Sequence, residues 1–482
     1  MSGQGPLPPR PRLHLRQLPH RTRQNNKSFG GEKMSVFGAY GVQNIQSVLY
    51  YGLHALQHRG QEGAGIVTFA EDGTSFRQRG LGLVSDVFNA SNLSKLQGNI
   101  GIASVQYANK NKGGLDNVEP YFFHHKYGDF AIANDGDLIN GSQIQSYLQD
   151  KGALFQTSTN SEILAQLVKK ESNKPRIWQI VDTLNMMEGG FSFLIMTKNR
   201  IYACRDKYGI KPLAIGKLDQ GYVVSSESCA FDLTGATFIR DVEPGEIVTI
   251  DAHGIRSNRY SQFQRHKLCA MEYIYLARPD SDIDGCNVHA FRKESGRRLF
   301  RECPADADIV VGVPDSSLSA AMGYSEESGI PYEMGLIKNK YVGRTFIQPS
   351  QDMREKGVKM KLSAIRSIVC GKRVALIDDS IVRGTTSIKI IRMLREAGAT
   401  EVHVRIASPK MTCPCYYGVD TPTFAELLCS NRSVEEACEA IGADSLGFLS
   451  PESTIASCPG REDLCLACFT GEYPTSLYHH TK

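Results

Sequence analysis

The sequence predicts an α/β protein with a parallel sheet in its C-terminal half, and three stretches carry that prediction. Val374 to Ile377 is a short, continuous apolar run, the pattern of a strand buried on both faces. IKIIRMLREAG follows, with Ile388, Ile391 and Leu394 on one helical face and Gly398 as its stop; EVHVRI then alternates as the next strand. VVGVPDSSLSAAMGY, Val310 to Tyr324, repeats the order of strand, small-residue loop and helix.

DDSIVRGTTS sits between the first strand and its helix, hence at the carboxyl end of a parallel strand, where open α/β sheets bind ligands. Arg383, Gly384, Thr385, Thr386 and Ser387 would offer an anion backbone N–H groups, hydroxyls and a helix N-terminus, and phosphate is the simplest such anion. Asp378 and Asp379 would accept hydrogen bonds from sugar hydroxyls or hold a magnesium ion. Paired aspartates alone fit any acidic strand end; it is the GTTS after them that points to phosphate. The small-residue loop after Val310 suits a pyrophosphate. Ile337 to Ser367 is long, basic and glycine-containing. Beside these neighbours it reads as a lid that neutralises phosphates on closing; by itself it would read as a solvated loop.

The bulk numbers bound the rest. A chain of 482 residues is expected to hold two to three domains. A net charge of +4 is too small for a strongly basic nucleic-acid binder. No apolar run approaches the roughly 18 residues of a membrane span. The 13 cysteines are an odd number without a secretory signal, which points to reduced thiols in the cytoplasm, with metal or cluster ligation as their special use. Residues 1–33 are basic and proline-rich with Glu32 as the sole acid, and read as a disordered leader or an unused upstream start. Their arginine-rich, acid-poor composition also fits an organelle transit peptide, although the prolines oppose its amphipathic helix.

Several longer motifs then become specific. EYIYLARPDSDIDG, VPDS, KNKYVGRTFI, MKLSAIRS and IDDSIVRGTTS occur in that order, and LQHRGQEGAGIVT and GLVSDVF lie in the first half. From about Met34 to the C-terminus the chain resembles the glutamine phosphoribosylpyrophosphate amidotransferase (amidophosphoribosyltransferase) family. The resemblance implies an N-terminal αββα sandwich of the Ntn-hydrolase type, a type 2 glutamine amidotransferase domain, over residues 34–264. It implies a type I phosphoribosyltransferase domain over 265–450 and a cysteine-bearing tail over 451–482. The implied reaction is displacement of pyrophosphate from phosphoribosyl pyrophosphate (PRPP) by ammonia, giving 5-phosphoribosylamine for purine synthesis. By the same resemblance Asp378, Asp379 and Ser316 serve the ribose hydroxyls and magnesium, Arg344 and Lys361 face the pyrophosphate, and Arg383 to Ser387 hold the 5′-phosphate. A homotetramer and feedback by purine nucleotides are implied as well. One departure is PDSS for the family's PDSG: if that position needs a positive φ, Ser317 is strained there.

CLACFTGEYP alone reads as a redox pair or half a zinc site. The iron–sulfur branch of the family implies more: Cys269, Cys415, Cys465 and Cys468 as ligands of a [4Fe–4S] cluster, zinc being the alternative. Cys413 reads as a stray neighbour, and Cys204 and Cys370 as small buried hydrophobes.

The first half departs furthest. The family's CGVFGIYG, whose N-terminal cysteine attacks the glutamine amide, stands here as MSVFGAYG, with Met34 at the nucleophile and Ser35 after it. VRY, whose arginine grips the substrate carboxylate, is VQY with Gln106. HNGN, which supplies the oxyanion hole, is NDGD with Asp135 and Gly136; SDSE, whose aspartate takes the ammonium, is TNSE with Asn160. Gln57-His58-Arg59-Gly60 is kept. These changes describe a degenerate glutaminase beside a live transferase that takes free ammonia or nitrogen from a partner. Removal of Met34, exposing Ser35 as an N-terminal nucleophile, is one alternative. A non-catalytic regulatory or assembly paralogue, or a transferase with another amine acceptor, are the others.

Overall fold

The computed structural model describes residues 34–107, 114–126, 128–168, 174–261, 265–339, 362–421 and 423–478. The basic leader, Arg344 and Lys361 lie outside them. Among the described residues no helix is long and apolar enough to cross a membrane.

Two antiparallel sheets stack in the first half. The seven-stranded sheet runs in the order Thr237–Asp241, Ala214–Leu218, Gly221–Ser225, Met34–Tyr40, Ile100–Gln106, Gly63–Phe69 and Ser75–Leu81. The six-stranded sheet runs Gly254–Arg259, Glu246–Asp251, Arg200–Arg205, Gly189–Thr197, Phe130–Leu138 and Tyr121–Phe123. Side-chain alternation along each strand sorts residues between layers. Val36, Ile102, Ala131, Ala133, Leu194 and Val248 fill the space between the sheets. Phe37, Ala39 and Ala103 face outward onto the helix Ile45–Ala55 and its neighbours. Ile132 and Phe193 face the helices Gly141–Asp150, Asn160–Val168 and Arg176–Met186 on the far side. The layers are therefore α, β, β, α.

The second half holds a four-stranded parallel sheet in sequential order: Ile309–Gly312, Arg373–Asp378, Glu401–Ile406 and Ser445–Phe448. Both of its faces are covered, which is why Val374 to Ile377 reads as an unbroken apolar run. Val310, Ala375 and Ile377 meet Leu299, Ala320 and Tyr324 on one side. Val311, Val374 and Leu376 meet Ile390, Ile391 and Leu394 on the other. The helix after the central strand spans Thr385–Glu396 and begins three residues earlier than its apolar run. Its core face is Ser387, Ile390, Ile391 and Leu394, whereas Ile388 is exposed. This corrects the expected face: a spacing of three residues, each 100° apart, also fits 387, 390, 391 and 394, and the sheet selects that set. Cys204 is buried as expected, but Cys370 is exposed, because it caps the short helix Arg366–Val369 at a surface turn.

The halves are tied by buried charge. Arg205 grips Asp284 with two hydrogen bonds of 2.7 Å each, and both side chains are shielded from water. Arg205→Met should lower stability by about 3–5 kcal/mol, because Asp284 loses its bidentate partner and is left with Arg461 and His266, and the buried carbonyls of Gly209, Lys211 and Val242 lose their donor. A thermal melt checks this, and adding Asp284→Asn should recover part of the loss.

Candidate active site

The parallel strand Arg373–Asp378 delivers Asp378 at its carboxyl end, and the N–H of Asp379 donates back to Asp378 Oδ1 at 2.9 Å. The loop after the neighbouring strand meets both carboxylates. Ser316 Oγ donates to Asp379 Oδ2, and Ser317 Oγ donates to Asp378 Oδ1 at 3.0 Å. Ser380 Oγ donates to Asp379 Oδ1 at 2.6 Å. Burial, and then the charge of Asp379, pushes the Asp378 carboxyl up to about 8. Two acids this close resist sharing full negative charge, and a cation or hydroxyl donors would relieve them.

Gly384 follows with φ 76 and caps the helix that starts at Thr385. Only a left-handed residue turns the chain so that the helix N-terminus opens beside the carboxylates. The Ile388 N–H closes the first turn on Gly384 O at 3.0 Å, leaving the preceding amides as helix-terminal donors. Thr385 and Thr386 are exposed at this end, while Ser387 turns into the core. Arg383 is exposed and pairs with Glu426 at 3.3 Å. Lys338 Nζ donates to Asp315 Oδ2 at 2.6 Å and ties the ladder Leu336–Lys338/Leu362–Ala364 to the serine loop. That ladder frames the expected lid; Arg344 and Lys361 lie outside the described residues.

Ser317 does not carry the expected strain. It is fully buried with φ −90 and ψ −4, a conformation open to any residue. Its hydroxyl instead supplies a bond to Asp378 that glycine would lack.

In the first half, Met34 pairs with Gln106 and Ser35 with Val105 in the seven-stranded sheet. Met34 thus shares the inter-sheet side of its strand with Val36, and Ser35 shares the helix-facing side with Phe37. The Ser35 hydroxyl is buried with no hydrogen-bond partner among the described residues. Gln106 is spent on structure: its Nε2 donates to Asn117 O at 2.8 Å, and its Oε1 accepts from Glu119 N at 3.0 Å. Gly60 lies so near that a Cβ there would stand 2.2 Å from the Gln106 nitrogen, which explains the glycine of the QHRG string.

Asp135 is fully buried, and its charge is met. Lys211 Nζ lies 3.3 Å from Oδ1, Arg59 reaches Oδ2 at 3.2 Å, and Ser226 Oγ donates to Oδ2 at 3.0 Å. Arg59 also holds Glu227 and Glu272 at 2.7 Å each. Burial pushes Glu227 up, but His58 and Arg59 outweigh it and hold the carboxyl below its usual range. Burial likewise opposes the Lys211 ammonium, and Asp135 with Glu272 more than restores it. Gly136 has φ 107°, and a Cβ there would stand 2.1 Å from Gly190 O on the neighbouring strand. Asn160 Nδ2 donates to Asp137 Oδ1 at 2.8 Å. Set against HNGN and SDSE, carboxylate and amide have changed places across this hydrogen bond, so the loss expected at Asn160 comes with a gain at Asp137. Sequence reading missed Lys211, Glu227, Glu272 and Asp137; Glu272 and Asp137 stand inside the quoted EYIY and NDGD strings, but their partners are remote in the chain.

The four cysteines of the tail and linker come together. Cys269 and Cys465 form an isolated bridge: Cys465 N donates to Leu268 O at 2.8 Å, and Ala270 N donates to Cys465 O at 3.2 Å. Cys413 N donates to Cys468 O at 3.0 Å, and Tyr417 N donates to Cys415 Sγ at 3.3 Å. Burial first, then Cys415, Cys269 and Cys465, push the Cys468 thiol well up. Burial and then Cys465 and Cys415 do the same to Cys269. Among the described residues no three His, Cys, Asp or Glu side chains are grouped to hold a metal ion.

Ser317→Gly should cost about 1–2 kcal/mol, from the lost Asp378 bond and the added freedom of glycine in the unfolded chain. A thermal melt with a turnover assay checks this; the variant should gain no activity.

Comparison with known proteins agrees with this geometry. A glutamine amidotransferase domain model matches residues 116–232, and a phosphoribosyl transferase domain model matches 293–413. The amidophosphoribosyltransferase of Bacillus subtilis is 51% identical over 457 residues, covering 93% of this chain and 96% of that protein. That of Methanocaldococcus jannaschii is 46% identical over 462 residues, covering 92% and 98%. The solved glutamine PRPP amidotransferase from B. subtilis complexed with ADP and GMP superposes with a TM-score of 0.88 at 51% identity, over 93% of this chain and 99% of that one. With a phosphoribosyltransferase sheet behind an amidotransferase sandwich, and near-half identity along almost its whole length, the chain belongs to the amidophosphoribosyltransferase family of pentosyltransferase enzymes.

Proposed function

We propose that this enzyme displaces pyrophosphate from PRPP with ammonia to give 5-phosphoribosylamine, and that its amidotransferase half no longer hydrolyses glutamine. The observation that carries the reading is a contrast. The carboxylate pair with its serine loop and helix N-terminus is complete, while the place of the glutaminase nucleophile is filled by a thioether.

In the transferase site the helix end from Gly384 to Ser387 receives the 5′-phosphate. Asp378 and Asp379 hold the ribose hydroxyls and orient the ring, so that C1 faces the incoming nitrogen as the bond to pyrophosphate breaks. Arg344 and Lys361 neutralise the pyrophosphate. Magnesium held near Asp378, Asp379 and Ser316 would draw charge from the leaving group.

Two observations support loss of glutamine hydrolysis. A methionine side chain has no proton to give up and no nucleophile strong enough for an amide. Removing Met34 would leave Ser35 on the wrong face of its strand, and the carboxylate clamp at Gln106 is committed to the 117–119 segment. The relocated Asp137 carboxylate preserves a negative group where an ammonium would bind, so the pocket is altered rather than erased.

Cys269, Cys415, Cys465 and Cys468 hold a [4Fe–4S] cluster in this reading. Four thiols, buried at Cys269, Cys465 and Cys468 and half-buried at Cys415, are its donor set. Bound there, the cluster would pin the tail to the linker. The B. subtilis relative complexed with ADP and GMP supports purine nucleotides as feedback ligands.

Pyrophosphate release should occur with PRPP, magnesium and ammonium chloride, and not with glutamine. Release driven by glutamine would overturn the loss of hydrolysis. Asp379→Asn should cut the ammonium-dependent rate by about 10²-fold or more at an unchanged melting temperature. Anaerobic protein should be brown with about four irons per chain; a colourless zinc protein would refute the cluster.

A further inference from the structure

The serine loop leaves the parallel sheet level with the two acids. Val313 N donates to Ile377 O at 2.9 Å, one residue before Asp378. Ser317 N then donates to Val313 O at 3.3 Å and Ala321 N to Ser317 O at 2.9 Å, so Ser317 sits at the junction of the loop with the helix Leu318–Ser328. That helix is held close to the helix Val288–Glu302 at two glycines. A Cβ on Gly323 would stand 1.8 Å from Lys293 O, and one on Gly296 would stand 1.9 Å from Ala320 O. Backbone packing this tight leaves the junction little room to shift.

From this fixed point the adjacent serines take one acid each, Ser316 bonding Asp379 and Ser317 bonding Asp378. Both hydrogen bonds to the Asp378 carboxyl fall on Oδ1, from Ser317 Oγ at 3.0 Å and from Asp379 N at 2.9 Å. Oδ2 has no hydrogen bond among the described residues, and Asp378 is half-buried where Ser317 is fully buried. The Asp379 donor belongs to the same turn as the carboxylate and moves with it. The Ser317 donor comes from another strand's loop, so it ties the carboxylate to a separate part of the sheet.

We propose that Ser317 is a positioning residue for PRPP binding: its hydroxyl turns Asp378 Oδ1 back onto the serine loop and presents Oδ2 to a ribose hydroxyl, given that Asp378 meets the ribose as proposed for this site. A carboxylate whose orientation is already fixed loses less freedom when the sugar arrives. The ribose hydroxyls stay in place while the bond to pyrophosphate breaks. The hydroxyl of Ser317 therefore helps substrate and transition state alike, and its loss falls on affinity more than on turnover.

Full-length protein and the variants Ser317→Ala, Asp378→Ala and the two combined are titrated with PRPP and magnesium by calorimetry, without a nitrogen donor and well below their melting temperatures. Ser317→Ala should weaken PRPP binding by about 3–10-fold, the range for one hydrogen bond. Asp378→Ala should weaken it by about tenfold or more. Adding Ser317→Ala to Asp378→Ala should change it by less than about twofold, because the hydroxyl then has no carboxylate to orient. With ammonium chloride, KM for PRPP should rise in Ser317→Ala by a larger factor than kcat falls. A merely structural serine would lower the melting temperature and leave PRPP affinity alone. Parent-like binding by Ser317→Ala beside weak binding by Asp378→Ala would overturn the positioning role alone. Parent-like binding by Asp378→Ala would overturn the ribose assignment and the positioning role with it. An equal loss from Ser317→Ala in both backgrounds would show that the hydroxyl does not act through Asp378, which also overturns the role.

Discussion

Arg59 is the side chain on which both halves lean. Its guanidinium is buried beneath Asp135 and Glu227 of the first half and Glu272 of the second, with Lys211 sharing two of those acids. Three carboxylates facing two fixed cations, with His58 at the edge, leave the group close to balanced without water. Taking any one member out of this set strands a charge in a dry site, at a cost that exceeds most surface interactions. Glu272 begins the EYIYLARP segment, so the linker into the transferase is pinned at its first turn. From there Arg278 N and Ser281 Oγ reach Glu227, and Asp284 reaches Arg205. The placement of the two sites relative to each other rests on this chain of contacts.

The two halves have met different constraints. In the transferase, the donors and acceptors around Asp378 and Asp379 satisfy one another through Ser316, Ser317 and Ser380. In the amidotransferase sandwich, the hydrophobic layers close around Met34, Gln106, Asp135 and Asn160. Folding depends on Val36, Phe37 and their sheet partners, and these are untouched by the change at Met34. Polar substitutions nearby have been absorbed: Asp135 by Arg59 and Lys211, Asp137 by Asn160, and Gln106 by the 117–119 segment. A buried carboxylate survives only with such partners.

The tail shows how little regular structure a docking segment needs. Backbone bonds from Lys267 to Tyr208 and from Cys269 to Ile210 join the linker to the first half, while Cys465 bonds the linker from its other side. Three remote stretches therefore share one small ladder, with the cysteines along it.

The sequence by itself determined the parallel strand, its following helix, and the acids and hydroxyls at its end, because periodicity and turn chemistry are local. It also marked where MSVFGAYG, VQY, NDGD and TNSE depart from the motifs they resemble, since each departure is local. It left the helix face ambiguous at Ile388, and the conformation of Ser317 open, because neither neighbours nor φ are written in a spacing. Only the tertiary structure decided which face of the first strand Ser35 occupies, which cations meet Asp135, and that Asp137 and Asn160 are partners. These are pairings between residues far apart in the chain, and contact across such distances is set by how layers stack, not by any local pattern.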